Sequence, residues 1–174
     1  MMEPVIVALD FETADNGADS ACALGMARVR GGEVEDVFYR LIRPPRRRIC
    51  YTDIHGITWN MVRNCPSFGD LWPECAAFLQ GADYLAAHNA PFDRRVLRGC
   101  CEAAGVDAPD TPFLCTVRGA RRGLSLPHNR LSDVCAHLGI ELDHHNAASD
   151  ALASARIYIF LRARGLPLEA MRIE

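Results

Sequence analysis

The stretch Val5-Ile6-Val7-Ala8-Leu9-Asp10-Phe11-Glu12-Thr13 decides the fold. Five consecutive apolar residues rich in β-branched side chains predict a strand over residues 5–9 that is buried on both faces, and therefore a central strand. Asp10 and Glu12 stand two apart at its end, which puts both side chains on one face and turns Phe11 the other way into packing. In an open α/β sheet the ligand crevice lies beyond the carboxyl ends of the strands, where this Asp-x-Glu falls. Taken alone, the segment reads equally well as a strand ending in two solvated acids.

Residues 21–29 and 34–42 have the pattern of two more strands, joined by a hairpin turn at Arg30-Gly31-Gly32-Glu33. The prolines of Arg43-Pro44-Pro45-Arg46-Arg47-Arg48 forbid regular structure and its charges forbid burial, so an exposed loop follows. Residues 70–79 are helical in pattern, 84–87 read as a short buried strand, and 91–104 as a helix with proline in its first turn. A fifth strand is predicted at 113–116. Asn129 can cap a helix running to His137, and 146–164 is the longest helical stretch, with Leu152, Ala155 and Ile159 on its apolar face. The order predicts an α/β fold whose mixed five-stranded sheet, an antiparallel meander then parallel strands, is flanked by helices. No repeat, low-complexity segment or linker interrupts it, and residues 1–174 are expected to form one domain.

The 174 residues, 49% hydrophobic and 24% charged, have the balance of a globular protein with a sizeable core. No apolar run approaches the ~20 residues of a membrane span. The N-terminus enters a strand pattern without a basic region and apolar signal core, so the expected compartment is the cytoplasm, with no membrane partner. The eight cysteines form no Cys-x-x-Cys pair and lie mostly among apolar neighbours, which suits buried thiols better than disulfides or a zinc site. Adjacent side chains on a helix point in different directions, so one thiol of the Cys100-Cys101 pair can face solvent and oxidation. All nineteen basic residues are arginine. Without lysine the chain cannot run P-loop nucleotide hydrolysis or Schiff-base chemistry. A formal charge of −3 argues against coating nucleic acid by bulk charge, yet bound cations would invert the potential around a local acidic site.

Two further segments join Asp10 and Glu12. Asp93 follows His88-Asn89-Ala90-Pro91-Phe92 and falls in the first turn of a helix, where the macrodipole favours its ionised form. Asp150 lies five residues after His145, so a histidine on the preceding loop can lean over a metal that Asp150 helps to hold. Alone, each has an ordinary reading as a helix-start acid or a surface His–Asp pair. Four carboxylates brought together without a cation repel one another at a cost of several kcal/mol, and divalent metal is the favoured resolution. Two Mg²⁺ or Mn²⁺ ions about 4 Å apart can activate a water and clamp a scissile phosphate, and such hard cations want carboxylate oxygens. Asp10 is placed to bridge both. His145 is the candidate base for the water's proton, with His144 as the register alternative.

The order Asp-x-Glu, His-Asn-Ala-x-Phe-Asp, His-x-x-x-x-Asp resembles the DEDDh exonucleases of the ribonuclease H-like superfamily, the group of the proofreading ε subunit of bacterial DNA polymerase III, ribonuclease T and oligoribonuclease. The likeness covers nearly the whole chain, and Ile54-His55-Gly56-Ile57-Thr58 is similar to a segment that many members carry before their second motif. It implies release of nucleoside 5′-monophosphates from the 3′ ends of single-stranded DNA or RNA by two-metal hydrolysis. Asp10, Glu12, Asp93 and Asp150 would be the metal ligands and His145 the general base. The resemblance further implies that Thr13, His55, Ile57, Asn89 and Phe92 line the pocket for the 3′-terminal nucleotide. The alternatives are loop or capping roles for His55 and Asn89, and a core role for Phe92.

Cys115-Thr116 departs from the Asp-Thr of many relatives. Ten residues follow Arg164, too few for the polymerase-binding extension of the ε subunit, so a stand-alone enzyme is expected over a replicase subunit. The dimeric look of ribonuclease T leaves a homodimer open. One rival is a non-catalytic nucleic-acid-binding module on the same fold, against which the presence of all five catalytic positions counts. Another is an aspartyl phosphatase, which usually wants Asp-x-Asp and a downstream lysine, both lacking here. The run Arg46, Arg47, Arg48, with Arg94, Arg95, Arg118, Arg121 and Arg122, reads either as solvated faces or as a guide for a phosphate backbone.

Overall fold

The computed structural model describes residues 3–174. Along the chain come β1 (Ile6–Thr13), β2 (Ala21–Arg30), β3 (Glu33–Leu41), α1 (Thr52–His55), α2 (Trp59–Val62), α3 (Phe68–Leu79), β4 (Tyr84–Ala87), α4 (Ala90–Ala104), β5 (Phe113–Cys115), α5 (Thr116–Gly123), α6 (Leu131–Leu138) and α7 (Ala147–Ala163). A 3₁₀ turn at Leu168–Ala170 follows. The strands form one sheet in the order β3-β2-β1-β4-β5, with β1 at its centre as its sequence predicts. β1, β2 and β3 pair antiparallel, whereas β4 and β5 are parallel to β1. Gly31 and Gly32 both take positive φ, +59° and +81°, and so close the β2–β3 hairpin with a two-residue turn whose twist matches the strands.

Alternation along β1 divides the core in two. Val7, Leu9 and Phe11 pack with Phe68 of α3 and Leu97 of α4 on one face of the sheet. Ile6 and Ala8 pack on the other, with Ile157 and Leu161 of α7 and Val134 of α6. Asp10 and Glu12 continue this second register, towards α7. The parallel pairing with β4 stops at Ala8↔Ala86, so the acidic end of β1 runs past its neighbour.

α7 lies across β2 and β1. The sheet beneath it is built of small residues, Ala8, Ala23, Gly25 and Ala27, and the helix answers with Ala147, Ala151 and Ala155. Gly25 sits opposite Asp10 in the β1–β2 register. A Cβ on Gly25 would lie 2.1 Å from the carbonyl oxygen of Ala147. Only a glycine lets the start of α7 come down on the sheet there, and Asp150 stands in that first turn.

Several boundaries differ from the sequence expectation. β1 runs on to Thr13, so Asp10 and Glu12 lie within the strand and not after it. Asn129 does not cap α6. That helix starts one residue later, and its Asp133 carboxylate accepts from the backbone N–H (3.2 Å) and guanidinium (2.9 Å) of Arg130. α1, α2 and α5 escape a reading by periodicity because two are four residues long and the third is mostly arginine and glycine. Pro44 is buried although Arg46, Arg47 and Arg48 beside it are exposed. Cys100 and Cys101 are both buried, because α4 is covered on two sides, and the exposed thiol is Cys50. Among the described residues no helix is long and apolar enough to cross a membrane.

Gly25→Ala is expected to cost about 3 kcal/mol of stability in urea unfolding, since backbone and not a flexible side chain must yield. Any folded fraction should bind divalent metal more weakly, because the Asp150 turn is displaced. A variant with unchanged stability and metal affinity would show that the close approach is dispensable.

Candidate active site

The site gathers at the projecting end of β1. Glu12 and Asp150 are buried, and the Oδ2 atom of Asp10 is sealed from solvent without a hydrogen-bond partner. Ligand oxygens of Asp10, Glu12 and Asp150 all lie within 4.8 Å of one another. Asn146 starts α7 by accepting from the N–H groups of Ala148 (3.1 Å) and Ser149 (3.3 Å), which fixes the turn that carries Asp150.

Asp93 reaches the group from α4. Its Oδ1 accepts the N–H of Phe11 at 3.0 Å, a donor left free where β1 outruns β4. Asp93 stands outside the set of mutually close oxygens but near enough to raise the pKa of both Asp10 and Glu12. The two histidines stack, with centroids 3.8 Å apart at 21°. His144 Nδ1 lies 3.2 Å from Asp150 Oδ2, and the His145 backbone N–H donates to that same oxygen at 3.2 Å. His145 takes φ +66°, an uncommon value for a side-chain-bearing residue, and this turn aims its N–H back at the carboxylate. The sequence spacing selects His145, and the fold adds His144 as the imidazole that engages Asp150.

Burial dominates the electrostatics. It pushes Glu12 up to about 8, with Asp150 and Asp93 adding to the rise. Burial likewise holds Asp10 well above the carboxylate range, reinforced by Asp93, Glu12 and Asp150. Asp93 is raised by burial too, so the helix dipole that was expected to keep it ionised is outweighed. Asp150 rises for the same reason, opposed by His144. A buried, unpartnered carboxylate oxygen beside two further carboxylates fits a hard divalent cation, whose charge would reverse every one of these shifts.

The acids open onto a cleft of about 1000 Å³, which Asn89, Phe92, Arg118 and Arg121 also line. Phe92 is exposed, which excludes the core alternative, and Asn89 is a helix start with φ +77° whose side chain makes no cap. Thr13, His55 and Phe92 line a smaller cavity beside Glu12. His55 and Ile57 share another with Tyr39 and Met61. The His55 ring is engaged at both nitrogens, with Nε2 3.0 Å from the Thr13 carbonyl and Nδ1 accepting the Ile57 N–H at 3.1 Å. It ties α1 to the end of β1.

Two contributors escaped the sequence reading. His88 bonds the Thr116 hydroxyl and the Asn129 carbonyl, both at 2.8 Å, and so joins β4 to the segments across the cleft. Gly25 was legible in principle, since a glycine inside a strand pattern marks close backbone approach.

The sequence profile of the Exonuclease family matches residues 7–158. The chain belongs to this exonuclease family. A PolC-type DNA polymerase III of Thermotoga maritima is 33% identical over 162 residues, which cover 90% of the chain and 12% of the polymerase. A DNA polymerase III subunit epsilon-like protein of Rhodobacter capsulatus is 33% identical over 180 residues, 92% of the chain and 24% of that protein. The chain thus spans a quarter or less of these relatives. Among solved structures, Exonuclease X in complex with 5′ overhanging duplex DNA superposes with a TM-score of 0.76 at 24% identity, covering 95% of this chain and 96% of that one. The nuclease domain of 3′hExo, a DEDDh family member bound to rAMP, gives 0.81 at 18%, covering 98% and 96%. The chain therefore has the ribonuclease H-like fold seen in these structures.

The raised acids set a pH dependence. Glu12 ionises near 4.5 when unfolded and near 8 in the metal-free folded state, so folding favours its protonated form. That stabilisation is complete below the unfolded value and is lost as pH climbs through about 8. In chelator the melting temperature should fall by on the order of 5 °C from pH 5 to pH 8. Mg²⁺ or Mn²⁺ should restore it at pH 8, and Glu12→Gln should flatten the metal-free profile. Calorimetry showing the same slope in Glu12→Gln would refute the assignment.

Proposed function

We propose that the chain is a metal-dependent 3′–5′ exonuclease that cuts phosphodiesters at the 3′ ends of single-stranded DNA or RNA and releases nucleoside 5′-monophosphates. The observation that carries this reading is the buried, unpartnered oxygen of Asp10 beside Glu12 and Asp150, at the floor of an open cleft. Asp10, Glu12, Asp93 and Asp150 would hold two Mg²⁺ or Mn²⁺ ions. When bound, these ions supply charge to the scissile phosphate and acidify a water. His145 takes the water's proton, and His144 orients Asp150 through the 3.2 Å contact. Phe92 offers an exposed ring to the terminal base, and Asn89 an uncommitted amide, while Thr13 and Ile57 shape the recess and His55 holds it together. The rAMP held by the 3′hExo domain is a nucleoside monophosphate, the class of product this reading expects.

Matched 3′- and 5′-labelled DNA and RNA oligonucleotides, incubated with Mg²⁺, Mn²⁺ or chelator, test the assignment. Metal-dependent mononucleotide release from the 3′ end is expected. Absence of degradation in every condition, with metal binding verified by calorimetry, would favour the binding-module alternative. Asp10→Ala and Asp150→Ala should abolish turnover in a folded protein, and wild-type rates in either would sink the proposal. His145→Ala should lower the rate by about 10²- to 10⁴-fold with metal affinity little changed. A lost metal affinity with an unchanged chemical step would contradict the base role.

A further inference from the structure

The arginines that a sequence reading groups as one population are separated by the fold. Arg46 is held between Asp15 and Asp19 at 2.6 Å from each. Arg95 donates to the Asn16 carbonyl, and Arg94 to that of Glu174. On α5, Arg118 and Arg122 donate to the carbonyls of Arg172 (2.7 Å) and Ala170 (2.8 Å), which pins the last segment along the free edge of β5. Arg121, on the same helix, makes no hydrogen bond or ion pair among the described residues, and it is exposed on the wall of the main cleft.

Arg118 shares that wall and keeps its charge and its remaining N–H donors free. The turn before α6 adds His128 and Arg130, the latter paired with Asp133 at 2.9 Å. Asp133 is the carboxylate paired on this side, and the other acids of the cleft are the proposed metal set. The α5 residues line the main cleft but neither of the cavities beside Glu12, whereas His55 lines those and not the cleft. The α5 end of the site therefore carries Arg121 without a partner among the described residues, whereas the arginine at the His55 end, Arg95, is committed to the Asn16 carbonyl.

We propose that Arg121, supported by Arg118 and the His128–Arg130 turn, binds the phosphodiester backbone of the strand on the 5′ side of the scissile bond. This rests on the exonuclease reading and adds a direction to it, with the terminal base at the His55 end and the strand leaving along α5. A guanidinium fork matches two phosphate oxygens and ignores the sugar and base, so the wall serves DNA and RNA equally.

The test is equilibrium binding of fluorescent ten-nucleotide DNA and RNA strands in chelator, measured by anisotropy across a salt series. It needs no turnover, so it stays readable if the catalytic assignment fails. Arg121→Ala should weaken binding about tenfold and reduce the slope of log affinity against log salt by about 0.7 per lost phosphate contact. Arg121→Glu should weaken it further, and Arg121→Lys should recover part of the loss. Arg156→Glu changes net charge by the same amount on an exposed face of α7 away from the cleft and should have little effect. Equal losses in Arg121→Glu and Arg156→Glu would overturn the proposal as a bulk-charge effect. An unchanged salt slope in Arg121→Ala, or a loss confined to one of the two nucleic acids, would overturn it as well.

Discussion

Everything at this site depends on how closely a helix can approach a strand. Asp150 reaches Asp10 and Glu12 only because α7 begins directly above Gly25, in a space that one methyl group would fill. Alanines on both sides extend the same close packing along the helix. The contact brings like charges together out of water, which is unfavourable, and the stability of the alanine-rich interface has to offset it. A cation at the acids removes most of that conflict. Close packing that gathers these carboxylates is therefore chemically matched to a hard divalent cation among them.

The sheet supplies the second constraint. Period-two alternation sends Phe11 into one core and its two acidic neighbours towards the other, so the strand that anchors the fold also presents the chemistry. The early end of β4 frees the Phe11 N–H, and Asp93 accepts from it. That hydrogen bond orients an acid from the opposite layer without a salt bridge. His88 and His55 act in a similar way, each using both ring nitrogens to fasten a loop to the sheet. Loops that carry functional groups are thereby given the rigidity of the elements they border.

Competition between effects decides the charges. At Asp93 the helix N-terminus favours ionisation, but desolvation is larger. Among the arginines of α5, hydrogen bonding to carbonyls assigns Arg118 and Arg122 to structure, whereas Arg121 has no such partner among the described residues. Composition cannot separate these cases, because a guanidinium in a structural clamp and one facing a cleft look alike in sequence.

The sequence by itself determined the five strands and their sheet, the central place of β1, the two-residue hairpin and the carboxylate motifs. Those features follow from local periodicity, turn chemistry and spacing, which are properties of neighbouring residues. Only the tertiary structure decided that Gly25 admits α7, that His144 engages Asp150 while His145 stacks on it, that Cys100 and Cys101 are both covered, and that α5 lines the cleft. Each of these depends on groups far apart in the chain. Burial, close approach and the choice among hydrogen-bond partners are properties of the packed whole, and no short window of residues encodes them.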